Sequence, residues 1–229
     1  MTPTLPPGAA AIVPHVDHLV VRVPSLEAAE AWAERHLDAR PAPGGRHPGA
    51  GTHNALLGVR SPLGDPPCYL EFIAPDPTQP EAQGRRFFGA DAEAPPGLYT
   101  WAARGTNLPR LAEAVGRGGL EVGAVLDGQR LTPDGTTLRW TLTDPRAITF
   151  DGLRPFFIDW GSTPHPASTL PLVGTLVGLW GLHPQVTALA DDLQALALPL
   201  PVQMGPTAGL WACIETAAGA VMLGPHLDL

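Results

Sequence analysis

Residues 44–57 read GGRHPGAGTHNALL and gather Arg46, His47, His53 and Asn54 on one glycine-rich run. A guanidinium, two imidazoles and an amide have the chemistry of a binding loop. Arg46 suits a substrate carboxylate or phosphate, and the glycines let backbone approach a ligand closely. A plain solvated loop has the same composition, so the run gains meaning only from its surroundings. Those surroundings include His18 and Arg22 in DHLVVRV, Glu71 in YLEFI, Arg104 at the end of LYTWAAR and Asp159 in FFIDW. Carboxylates in such places can move protons. The chain has no Lys at all, which excludes Schiff-base chemistry and a lysine-bearing phosphate loop.

Composition bounds the rest. The chain has 229 residues, 44% hydrophobic and 16% charged, as an ordinary globular protein does. A net charge of −8 offers nothing to a phosphate backbone, so no nucleic-acid partner is expected. Cys68 and Cys213 form no disulfide framework, zinc knuckle or CxxC pair, and read as buried thiols in a reducing cytosol. The stretch MTPTLPPGAAAIVPH lacks a secretory signal's basic start and long apolar core. Apolar runs are broken well short of the roughly 18 residues a membrane span needs. The expectation is a cytoplasmic protein with no membrane partner.

Something must position the candidate residues, and an internal repeat supplies it. HVDHLVVRVPSLEAAEAWAERHLDA is a β-branched strand, a Pro-Ser break and an amphipathic helix, with Ser25 as N-cap and Glu27 in the first turn. Leu26, Ala29, Trp32, Ala33 and Leu37 form its buried stripe. THNALLGV and CYLEFIAP follow as strands, with RPAPG at the head of a further short one. The pattern recurs in LYTWAARGTNLPRLAEAVGRGG, DGTTLRWTL and RPFFIDW, which lays Arg104 on Arg22, Gly135 on Gly51 and Asp159 on Glu71. A weaker third copy runs through TLVGLWGL, HPQVTALADDLQALAL and GLWACIETAAGAVML. The fold class expected is α+β: βαβββ modules at about residues 14–90 and 95–165, and a partial βαββ(β) module at 170–229.

One such unit covers only one face of its sheet, so two side by side enclose a cavity. Strand alternation then chooses its lining. Leu70 and Phe72 suit the helix-covered face, leaving Tyr69, Glu71 and Ile73 for the cavity. Ile158 and Trp160 are expected outward and Asp159 inward. His18, Val20 and Arg22 share one face, which gathers His18, Arg22, Glu71, Asp159 and Arg104 around one space. Arg46, His47, His53 and Asn54 ring its entrance. His15, His36, His165, His183 and His226 join no such group, and Trp32, Trp101, Trp140 and Trp211 read as core.

VDHLVVRVPSLEAA, PAPGGRHPGAGTHNALL and YLEFIAPDPTQP, with TPDGTTLRWTL and FFIDWGSTPHPA, resemble the glyoxalase-like domain family of the vicinal oxygen chelate superfamily across residues 14–165. The resemblance implies an open barrel of paired modules, with metal ligands on the first and last strand of each. Matched residue by residue, these are His18 and Glu71 from the first module and Thr100 and Asp159 from the second. Thr100 departs from the pattern, since a neutral hydroxyl is a poor ligand, and leaves His18, Glu71 and Asp159.

One imidazole and two carboxylates favour a divalent ion such as Zn, Mn, Fe or Ni. His53 swinging in would instead give a two-His-one-carboxylate set with His18 and Glu71. Glu71, His53 and Asp159 are then the candidate catalytic groups. Arg46, His47, Asn54, Arg22 and Arg104 are the candidate substrate contacts. Two functions remain open: a metal-dependent lyase, isomerase or dioxygenase acting on a small oxygen-rich molecule, or a metal-free binding or sequestering protein. The third copy offers Val177 and about Leu223 at the ligand positions, so it reads as structural. Its strands are apolar on both faces, and the face its helix leaves bare must meet the first two modules or a second chain in a homodimer.

Overall fold

The computed structural model describes residues 15–61, 68–79, 86–91, 93–132 and 136–229. The N-terminal stretch read for a secretory signal, and the turns through SPLGDPP and TPDG, lie wholly or partly outside the described residues.

Strand β1 (Val16–Arg22) leads into helix α1 (Leu26–Leu37). The Ser25 hydroxyl starts the helix by accepting a hydrogen bond from the Ala28 N–H, and Asp38 ends it in the left-handed conformation. Its buried face is Ala29, Trp32, Ala33 and Leu37, the helical stripe expected from the sequence. The chain returns through β2 (Ala42–His47), β3 (Thr52–Arg60) and β4 (Cys68–Pro75). A second unit follows: β5 (Gly97–Arg104), α2 (Leu108–Gly116), β6 (Val125–Leu131), β7 (Thr137–Thr143) and β8 (Phe156–Asp159).

The two units pair their strands identically. The first strand runs parallel to the last, and the others follow antiparallel, giving β1-β4-β3-β2 and β5-β8-β7-β6. Antiparallel pairing of β1 with β5 joins them, and the far strands β2 and β6 approach one another. The sheet therefore curls into an open barrel, with α1 packed outside.

The last third has the same element order with different pairing. It comprises β9 (Leu172–His183), α3 (Val186–Ala195), β10 (Val202–Met204), β11 (Gly209–Thr216) and β12 (Gly219–Leu223). β9 lies parallel to β10 and antiparallel to β11, which carries β12. The parallel partner of its first strand is thus not its last strand, and Leu223 is no structural counterpart of Glu71. β9 also runs parallel to β3, which extends the barrel sheet.

One apolar face of this third is buried within the chain. Leu176, Leu179, Leu193, Leu210 and Ile214 share one core with Leu57, Val59, Leu98 and Leu153. Among the described residues, the large apolar side chains left exposed are Leu172, Met204 and Leu229. The first two modules thus meet one apolar face of the third, the intramolecular packing weighed against pairing with a second chain. Cys68 and Cys213 are free and buried. Among the described residues, no helix is long and apolar enough to cross a membrane.

A shared core makes a stability prediction. Leu179 is 1% exposed, and Leu179→Ala is expected to cost about 2–5 kcal/mol. Urea unfolding followed by tryptophan fluorescence should show one transition at a lower midpoint. A separate early transition would mean that the last third unfolds on its own.

Candidate functional site

The barrel encloses a cavity lined by both modules and by the segment that connects them. The first module contributes His18, His47, Asn54, Leu56, Tyr69 and Glu71; Phe87 and Phe88 follow from the connecting segment. The second module contributes Arg130, Trp140, Leu142, Phe156 and Ile158, with Trp160 just beyond β8. One side is therefore polar, and the other is apolar except for Arg130.

The polar floor is built from β1 to β4. Alternation along YLEFI works as expected: Leu70 and Phe72 pack against α1, while Tyr69, Glu71 and Ile73 turn to the barrel interior. Glu71, 5% exposed, receives a hydrogen bond from Asn54 Nδ2 at 2.5 Å. His18 Nε2 lies 3.3 Å from its second oxygen, and His47 Nε2 is 3.9 Å from its first. Tyr69 stacks on His18 with ring centroids 4.6 Å apart, and Phe156 meets it edge-on.

Behind His18 stands Asp17, which is fully buried. Its carboxylate accepts from His18 Nδ1 at 2.8 Å, His165 Nε2 at 3.1 Å and Trp160 Nε1 at 3.2 Å, with Arg104 Nε at 3.5 Å. The Ala167 N–H donates to His165 Nδ1, so His165 turns its protonated Nε2 to Asp17. Asp17 and His165 escaped the sequence reading. The available signal was an acidic residue inside an apolar strand, which demands a partner when buried.

Four of the candidate site residues meet at the cavity: His18, Glu71, His47 and Asn54. The others do not, each for a local reason. Asp159 points to the opposite face of β8, where it accepts from the Asn107 and Gly161 N–H groups. Phe156, Ile158 and Trp160 take the cavity face, reversing the expected phase. A continuous apolar run buried on both sides carries no alternation to read. Thr100 donates to the Gly152 carbonyl at 2.7 Å, beside a register shift between β1 and β5.

The glycine-rich run is strand β2 and the start of β3, and its residues also alternate. His47 and Asn54 turn inward. Arg46 turns out to Asp76 at 2.5 Å, and His53 lines an outer groove with Leu26 and Pro43. Arg22 lays its guanidinium over the Tyr99 ring, 4.2 Å from its centroid, and Arg104 stands behind Asp17. Arg130, which lines the cavity, was missed because VLDGQRL has no hydrophobic alternation to place it.

The two floor histidines differ in charge. Burial opposes ionisation of His18, but hydrogen bonds with Asp17 and Glu71 outweigh it and raise the imidazole to about 9. Burial likewise opposes the Glu71 carboxylate, yet His18 wins and holds it at about 2. At His47, burial dominates and lowers the imidazole, with Arg130 adding to the effect. Asn54 Nδ2, oriented by Glu71, lies 3.4 Å from His47 Nε2, and Thr52 Oγ1 is 2.9 Å from Nδ1. His47 is therefore neutral, with its proton on Nδ1 and a lone pair on Nε2.

These shifts give stability a pH dependence. His18 is raised, so its contribution is complete below 6.5 and is lost as pH climbs through about 9. Glu71 is lowered, so its contribution is complete above 4.5 and is lost as pH falls towards about 2. Both describe one ion pair and are counted once. Chelator-treated protein should be most stable near pH 6.5, because the lowered His47 makes protonation below that value favour the unfolded chain, and should lose on the order of 2–3 kcal/mol towards pH 9. His18→Gln should flatten that alkaline slope in thermal melts.

The metal ligand set implied by the resemblance is not assembled. Asp159 faces away, the second module turns apolar side chains to the floor, and both Glu71 oxygens are engaged by His18 and Asn54. Among the described residues, no group of three or more His, Cys, Asp or Glu side chains is arranged to hold a metal ion.

Paired βαβββ modules curled around one shared cavity define the vicinal oxygen chelate class of protein. Within it, a model of the glyoxalase-like domain matches residues 16–197, and the chain belongs to that family. No curated protein matches at a significant level. Among solved structures, a hypothetical protein from Staphylococcus aureus is similar with a TM-score of 0.65 at 13% identity, over 84% of this chain and 87% of that one. A methylmalonyl-CoA epimerase from Streptomyces coelicolor matches with a TM-score of 0.44 at 15% identity, over 67% of this chain and 99% of its own. The Mycobacterium tuberculosis epimerase gives 0.39 at 18% identity, over 69% and 92%. At these identities the likeness concerns the fold alone.

Proposed function

We propose that the protein binds a small oxygen-rich molecule in this cavity and moves a proton on it, as an isomerase or lyase does. The observation that carries this reading is a pair of imidazole Nε2 atoms, 3.3 and 3.9 Å from one buried carboxylate, opening on a cavity with otherwise largely apolar walls. His47 takes a proton from the carbon beside a carbonyl, and the C–H electrons pass to the carbonyl oxygen. His18, held by Asp17 through Nδ1, shares its Nε2–H between Glu71 and that oxygen. Glu71 balances the His18 charge, and the apolar walls keep water from the reacting atoms. A reducing cytoplasm suits the two free thiols.

A second reading, binding or sequestering without chemistry, is favoured by the second module, which brings only apolar side chains and Arg130 to the cavity. The two separate in one experiment. Chelator-treated protein is incubated in D2O with phenylpyruvate, and loss of the methylene proton signal is followed by NMR. Exchange above the buffer rate supports the enzyme. Calorimetric binding without exchange supports sequestration. Exchange that begins only on adding Zn, Mn, Fe or Ni would restore the metal-dependent chemistry implied by the sequence resemblance.

A further inference from the structure

Arg130 is 8% exposed, lines the cavity from β6, and has an Nη1 with no hydrogen-bond partner among the described residues. A buried guanidinium is normally fully engaged, because its donors lose water on burial. No carboxylate among the described residues lies within ion-pair distance of it, and Glu71 is already committed to His18 and Asn54. The charge is felt inside the cavity, since Arg130 helps lower the His47 imidazole. Nearby, Asn54 Oδ1 is also buried, with no hydrogen-bond partner among the described residues.

Both orphaned atoms sit at the seam where β2 meets β6. A Cβ added at Gly44 would come 2.0 Å from Asn54 Oδ1 and 2.8 Å from Arg130 Nη1. The glycine thus makes room for the two side chains to lie at the barrel's edge. Phe87, Trp140 and Trp160 line the same cavity.

We infer that Arg130 is the anion-binding subsite of this cavity, and that the ligand is a small carboxylate with an apolar or aromatic body. The inference rests on the reading of the cavity as the binding site, and it adds the ligand's class. One guanidinium matches one carboxylate in planar, two-point fashion. A phosphate group would call for more donors than this cavity supplies. The apolar walls take the body of the ligand, and the carboxylate end lies beside His47, which is near enough to Arg130 to feel its charge.

The test compares phenylpyruvate with phenylacetone, which keeps the ring, methylene and carbonyl but carries a methyl in place of the carboxylate. Calorimetry on the full chain should show phenylpyruvate bound roughly 10- to 100-fold more tightly, the range for a hydrogen bond to a charged group. Arg130→Met should remove that preference, and Arg130→Lys should restore part of it. Equal binding of the two compounds by the wild-type chain would overturn the anion subsite while leaving the cavity reading intact, and needs no variant to fold. Failure of both compounds to bind would overturn the cavity reading and this inference with it.

Discussion

Asp17→Ala is expected to be the most destabilising single substitution at the site, at about 3–5 kcal/mol. The carboxylate is fully buried and satisfies three hydrogen-bond donors and the Arg104 guanidinium. Removing it leaves a raised His18, the His165 imidazole and the Trp160 indole N–H without an acceptor in a dry interior, and each then bears its desolvation cost. For a chain of this length the melting temperature should fall by roughly 10 °C. The change also reaches the cavity, because Trp160 lines its wall and His18 its floor. A melting temperature within a degree or two of wild type would show that water or a rearranged side chain replaces Asp17 freely.

His47→Gln should separate chemistry from folding. The side chain is partly accessible at the cavity, and its close contacts are Thr52 and Asn54. Glutamine keeps a polar group of similar reach, so stability should change by no more than about 1 kcal/mol. Exchange of the phenylpyruvate methylene protons should fall roughly 10²- to 10⁴-fold, the range for losing a general base. Unchanged exchange with a normal melting curve would remove His47 from the proton path and turn attention to Glu71.

The fold was readable because its signals are periodic. Ala29, Trp32, Ala33 and Leu37 recur on one helix face, and the helix they form decides which face of YLEFI it covers. That in turn points Glu71 at the cavity, on the strand beside His18, where its register partner is Val20, two residues further along. What failed lacked periodicity. FFIDW is buried on both faces, so Asp159 was assigned the wrong one. Arg46 and His47 sit on a strand of prolines and glycines, where nothing marks which side chain turns in. Arg130 depends on the closure of the barrel at β2 and β6, a contact between distant segments set by the curvature of the whole sheet. The last third repeats the order of elements but not their pairing, and pairing is not written in local pattern.

The proposed site holds two histidines in opposite proton states on either side of Glu71, and side-chain 15N NMR of the chelator-treated, full-length protein measures this directly. At pH 7.5 His18 should carry protons on both ring nitrogens and titrate near about 9. His47 should be neutral, with its proton on Nδ1 and a bare Nε2 facing the cavity. A neutral His18 at that pH, or a His47 that titrates with it as a second cation, would contradict the acid–base pairing proposed for the site.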